Sequence, residues 1–119
     1  MSVVLEIHLV VAFLLALCAI IFSWNQQGRR VVNAVAALQF IVGLVVAGML
    51  GASHVPLPPQ VWLHIIAALL ILACYGMAMR FGKRAGGSGT AMAFSVAGLL
   101  LVLYNIYLGW TMAGGVNKL

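Results

Sequence analysis

Three ionisable side chains stand inside long apolar stretches: Glu6, His8 and His64. Such groups are costly in hydrocarbon and mark functional sites by default. His8 and His64 fall at similar depths within two stretches that begin on the same side. Two imidazoles at one depth on diagonal helices can supply both axial ligands of a haem iron held between them. The neighbouring residues are small, as a macrocycle lying against backbone requires. One turn beyond each histidine is an alanine, Ala12 and Ala68. Two further stretches carry the stripes Gln39-Gly43-Ala47 and Asn105-Gly109-Ala113, with Gly48 and Gly114 adding clearance. The candidate site is therefore His8 and His64 as iron ligands, cradled by Ala12, Ala68, Gly43, Gly48, Gly109 and Gly114. Two blander readings compete. Membrane histidines form hydrogen bonds between helices or contact a quinone, and small residues four apart simply let helices pack closely.

These residues need elements to hold them, and the composition says which. The chain has 119 residues, 66% of them hydrophobic and 6% charged, with a mean hydropathy of +1.20. A soluble domain has about a quarter charged residues. So little polar surface excludes a water-soluble monomer, a nucleic-acid-binding domain and a disordered tail. A spanning helix needs about twenty apolar residues, and four segments qualify: 3–24, 31–52, 60–79 and 90–113. No basic region precedes the first, so it reads as a span and not as a cleaved leader. The connections are short: 25–30, the proline-rich 54–59 and the Gly- and Lys/Arg-rich 82–89. Short connections make antiparallel neighbours, so the expected fold is an all-α integral membrane protein, an up-down-up-down four-helix bundle in one domain.

Six Lys or Arg face a single acid, Glu6. Five of these bases form two tracts, Arg29–Arg30 and Arg80 through Arg84, at the ends of apolar runs. Excess Lys/Arg marks cytoplasmic connections, which places both termini and the proline loop outside; Lys118 is a base on the opposite side. Cys18 and Cys74 lie deep in apolar runs and read as small hydrophobes. Trp24, Trp62, Trp110, Tyr104 and Tyr107 read as interface or packing aromatics.

The chain also repeats itself. Span three laid on span one pairs His8 with His64, Ala12 with Ala68 and Cys18 with Cys74. Span four laid on span two pairs Gln39 with Asn105, Gly43 with Gly109, Ala47 with Ala113 and Gly48 with Gly114. Rare residues matching in order indicate a duplicated helical hairpin, with its pseudo-twofold axis along the membrane normal.

The run Leu38-Gln39-Phe40-Ile41-Val42-Gly43, the proline loop, and Trp62-Leu63-His64 followed by Ala68 resemble the haem A synthase family. That family has a Gln-x3-Gly span, a short outer loop with Pro and a Leu-His span with Ala one turn on. The resemblance implies half of that family's architecture, permuted: one four-helix bundle with a histidine pair, His8 and His64, for one haem near the outer face. The departures are definite. Glu6-Ile7-His8-Leu9 replaces the family's Glu-x-x-His-Arg, and the outer cysteine pair is absent. The bundle and the ligand pair carry over; oxidation of a haem methyl group does not.

The expected function is a membrane b-type cytochrome, an electron-transfer subunit more than an independent enzyme. The expected setting is the cytoplasmic membrane of a bacterium or archaeon. Expected partners are the bilayer, a quinone, and other redox subunits or further copies of the chain, with no nucleic acid. Haem propionates would have to be met by Lys118, His54, Trp62, backbone amides, water or a partner subunit. His54 reads as solvated and Glu6 as an interfacial group. The alternatives are a haem-free structural or assembly subunit and a small multidrug-type transporter, which would need a carboxylate buried in mid-span.

Overall fold

A computed structural model describes residues 2–52 and 59–117, and among these all regular structure is helical. The elements are α1 (Ser2–Phe22), α2 (Gln26–Ala52), α3 (Gln60–Gly82) and α4 (Ser88–Asn117). Each is long and apolar enough to cross a membrane. At about 1.5 Å per residue, even α1, with 21 residues, matches a hydrocarbon core of about 30 Å. The helices are apolar around their whole circumference. Phe13, Leu17, Ile41, Leu100 and Tyr107 all point outward and are exposed, the pattern of helices whose outer solvent is not water.

Three helices run further than the hydropathy alone indicates: α2, α3 and α4, the last covering Ser88–Asn117. α2 begins at Gln26, where Asn25 accepts a hydrogen bond from the Gly28 amide at 2.7 Å through its side-chain oxygen and so caps the helix start. α3 continues through Arg80 to Gly82. Arg29, Arg30 and Arg80 therefore sit on helices and not in the connections. In the turn between α3 and α4, Gly86 takes φ +75°, a conformation that residues with a Cβ rarely adopt. The proline loop and His54 lie outside the described residues.

Each helix packs on its neighbours in sequence, most extensively α3 on α4, then α1 on α2 and α2 on α3. A thinner contact between α1 and α4 closes the ring. This leaves α1 across from α3, and α2 across from α4, in a molecule measuring 52 × 23 × 20 Å. The core at mid-bundle is Leu15, Cys18, Ala19, Val32, Ala36, Ile71, Tyr75 and Val102. Both cysteines are free thiols.

At the end of the bundle bearing the α1–α2 turn, a polar knot replaces hydrophobic packing. Arg29 is 5% exposed. Its Nε donates to the Ser23 carbonyl at 3.0 Å and to the Ser95 hydroxyl at 2.8 Å. Ser23 donates to the Ala19 carbonyl and shares a hydrogen bond of 2.7 Å with the Tyr75 hydroxyl. Gln26 donates to the Met79 carbonyl at 2.7 Å. The knot ties the α1–α2 turn and α2 to both α3 and α4 through neutral partners, which a buried guanidinium needs when no carboxylate is near.

Gly98 makes room for this knot. A Cβ there would stand 2.7 Å from Tyr75 Cε2, and Tyr75 is completely buried, so its ring cannot retreat. Gly98→Ala is expected to destabilise the bundle by roughly 1–3 kcal/mol, the usual cost of overpacking. A lowered midpoint of thermal unfolding in detergent, followed by circular dichroism, would register it.

Candidate functional site

The opposite end of the bundle holds the two histidines. His8 lies six residues in from the start of α1, and His64 four residues in from the start of α3. They come from helices on opposite sides of the ring, yet their ring centroids are only 6.0 Å apart, with the planes at 88°. Both line one apolar cleft of about 150 Å³ to which all four helices contribute. Its floor is the mid-bundle core, with Leu15, Ala36, Ile71 and Val102, and Leu5, Leu50, Val61 and Trp110 line it beyond the histidines.

Each ring rests on a glycine of the helix that follows its own. A Cβ on Gly43 of α2 would meet His8 Cε1 at 3.0 Å, with the two ring nitrogens next at 3.7 and 3.8 Å. A Cβ on Gly109 of α4 would meet His64 Cε1 at 3.3 Å, with the nitrogens at 3.8 and 4.0 Å. The nearest atoms at both positions belong to an imidazole and not to a neighbouring backbone. These glycines therefore make room for the rings, and close helix approach is not what fixes them.

Of the small residues expected at the site, Ala12, Ala68, Gly43 and Gly109 all line the cleft with His8 and His64. Ala47 joins them. Gly48 does not: it is exposed, and nothing lies within 4 Å of a Cβ built there. Gly114 belongs to α4, but its surroundings, like His54 and Lys118, lie outside what is described. Glu6 is exposed and is not part of the cleft wall. Trp62 is 66% exposed and also stands apart from the cleft.

Two residues that the sequence placed in the stripes beside the site, but not among its binding residues, belong to the site itself. Gln39 of α2 donates to the His8 main-chain oxygen at 2.8 Å through Nε2, and its amide stands beside the His8 ring. Asn105 of α4 stands beside the His64 ring through both side chain and backbone. The signal was available: each amide precedes its glycine by four residues, one helical turn, so the two share a face.

The cleft can be tested against a haem by its donors and its shape. Among the described residues no group of three or more His, Cys, Asp or Glu could hold a bare metal ion. Two imidazoles suffice only where a macrocycle supplies the remaining ligands, as in haem proteins. Imidazole nitrogens bond metals at about 2 Å, so two rings sharing one metal have centroids roughly 6 Å apart, the separation found here. His8 Nδ1 and His64 Nδ1 are buried without hydrogen-bond partners, and the two glycines leave cradles that a Cβ would fill. A tetrapyrrole needs roughly several hundred Å³, more than the cleft encloses as it stands. The lining side chains Phe13, Leu44 and Trp110 are 53%, 45% and 63% exposed, so the packed core does not confine them. The residues present fit the group.

No protein family matches this chain, and no curated protein or solved structure is detectably similar to it.

Proposed function

We propose that the protein is a membrane cytochrome of the b type, in which His8 and His64 hold one haem between the four helices. The observation that carries this reading is the pair of imidazoles from opposite helices, 6.0 Å apart, each seated on a glycine within one apolar cleft. A bound haem b would supply one-electron transfer between its ferric and ferrous states. The chain's own part is to present two neutral imidazole nitrogens, to keep the cleft apolar, and to exclude other donors. The low polarity of the walls favours the iron state of lower net charge and so tunes the potential. The partial resemblance to haem A synthases is consistent with the same ligand pair.

The proposed topology is up-down-up-down, with the polar knot on the cytoplasmic side and the histidines toward the outer face. Arg29, Arg30, Arg80, Lys83 and Arg84 supply the positive charge that this orientation places inside. The architecture is read as a duplicated hairpin, and contacts between repeat-equivalent residues support that. Fifty-six residues separate His8 from His64, as they separate Cys18 from Cys74. Sixty-six separate Gln39 from Asn105 and Gly43 from Gly109, and also Arg29 from Ser95. His8 meets His64 at one end, and Arg29 bonds Ser95 at the other. Equivalent residues that touch each other are what a twofold axis between them would give, so two such pairs at opposite ends support an axis along the bundle.

In this setting the haem exchanges electrons with a quinone or with other redox subunits, and the apolar outer faces suit assembly with these or with further copies of the chain. A transporter driven by a buried carboxylate finds no support at Glu6, which is exposed and off the cleft.

The deciding experiment is a visible spectrum of the protein purified in detergent from haem-replete cells. The expected result is a reduced-minus-oxidised spectrum with sharp b-type bands at about one haem per chain. A colourless protein that takes up no added haem overturns the reading.

A further inference from the structure

We infer that Gln39 and Asn105 are positioning residues: each amide oxygen accepts a hydrogen bond from the Nδ1–H of one histidine, which leaves Nε2 as the nitrogen with a free lone pair. The inference deepens the haem reading and rests on it for its purpose, though not for its test.

Six buried side-chain atoms lack hydrogen-bond partners among the described residues, and four of them are His8 Nδ1, Gln39 Oε1, His64 Nδ1 and Asn105 Oδ1. Buried polar groups are rarely left unpaired, and these four are complementary. An amide oxygen can only accept, while an imidazole Nδ1 donates in one of its two neutral tautomers. The amides already stand beside the correct rings, Gln39 by His8 and Asn105 by His64. Gln39 is further constrained, because its Nε2 is tied to the main-chain oxygen of His8 itself at 2.8 Å. With the nitrogen end anchored on that residue, the oxygen end is what remains for its ring.

The arrangement recurs in both halves. Gln39 precedes Gly43, and Asn105 precedes Gly109, by one helical turn. In each half one helix face thus offers a glycine to Cε1 of the ring and an amide to Nδ1. Ligating histidines commonly give their second N–H to an acceptor, which fixes the tautomer and orientation of the ring. Carboxylates often fill that role, but the chain's single acid, Glu6, is exposed and off the cleft. A neutral amide does the same without burying a charge.

The test reads the tautomer directly, in protein free of haem. Imidazole nitrogen shifts of ¹⁵N-histidine-labelled protein in micelles separate Nδ1–H from Nε2–H, and single His→Gln variants assign the signals. His8 and His64 are both expected as Nδ1–H. Gln39→Met is expected to return His8 alone to the Nε2–H form preferred by free imidazole, and Asn105→Leu to return His64 alone. Gln39→Glu, which keeps an acceptor, is expected to preserve the Nδ1–H form of His8. In haem-loaded protein, Gln39→Met and Asn105→Leu should each weaken haem retention by about 10- to 100-fold. Nε2–H rings in the wild type, or tautomers indifferent to both amides, overturn the inference even if haem binds. Nδ1–H rings that respond to the amides in a protein refusing haem sustain the positioning and sink the cytochrome reading alone.

Discussion

Replacing either His8 or His64 by alanine is expected to abolish the b-type bands and to lower haem content at least about tenfold, the floor set by losses seen when even outer-shell partners of metal ligands are removed. Either single variant should lose nearly as much as the double. The ring centroids stand 6.0 Å apart, so in the proposed site each ring is useful only while the other is present. Among the described residues no substitute donor is at hand in the cleft: apart from the two histidines its wall is apolar or amide-bearing, and Cys18 belongs to the core cluster below. Free imidazole supplied in the growth medium should restore much of the spectrum to His8→Ala and His64→Ala, because the space vacated by the ring accepts the same ligand. That rescue distinguishes ligation from a fold that needs histidine for packing. His54→Ala, by contrast, should leave the bands unchanged. A spectrum that persists in His8→Ala, or that His54→Ala removes, would assign the iron to other ligands.

The histidine pair was legible in the sequence because rare residues at matching repeat positions stand out against Leu and Ala. So were the four apolar elements, since length and hydropathy alone separate them. Helix ends were less so. Arg29 reads as a loop charge because hydropathy drops at residue 25, yet the chain turns helical again at Gln26 and buries the guanidinium on the Ser23 carbonyl and the Ser95 hydroxyl. Serines give no pattern that announces such a partnership across 66 residues. The same limit applies to Gln39 and Asn105. Their equivalence was visible, but their place beside the rings depends on how far α2 and α4 are rotated about their axes, and helices apolar all round carry no amphipathic stripe to fix that rotation. Gly48 illustrates the converse. It follows the glycine stripe in sequence, and the rotation that turns Gly43 onto His8 leaves Gly48 outside.

That contrast yields the sharpest test of what the glycines do. Gly43→Leu and Gly109→Leu are both expected to eliminate haem retention, whereas Gly48→Leu should retain it in full. At Gly43 even a methyl group would meet His8 Cε1 at 3.0 Å, closer than at Gly109, where His64 Cε1 would be 3.3 Å away. Gly43→Ala should therefore perturb the spectrum and potential more than Gly109→Ala, because His8 must yield further to admit the same group. Interiors resist such intrusion, since neighbours forced off their rotamers cost energy on the order of 1–3 kcal/mol, and a ligating ring pushed a few tenths of an ångström loses alignment as well. The packing explanation predicts otherwise: glycines that serve only close helix approach would, when enlarged, lower the unfolding midpoint while sparing the bands of whatever protein stays folded. Measuring haem per chain beside thermal unfolding, on the same preparations, separates the two. Folded Gly43→Leu without pigment supports the cradle; folded Gly43→Leu with its full complement of haem means that His8 is not held there as a ligand.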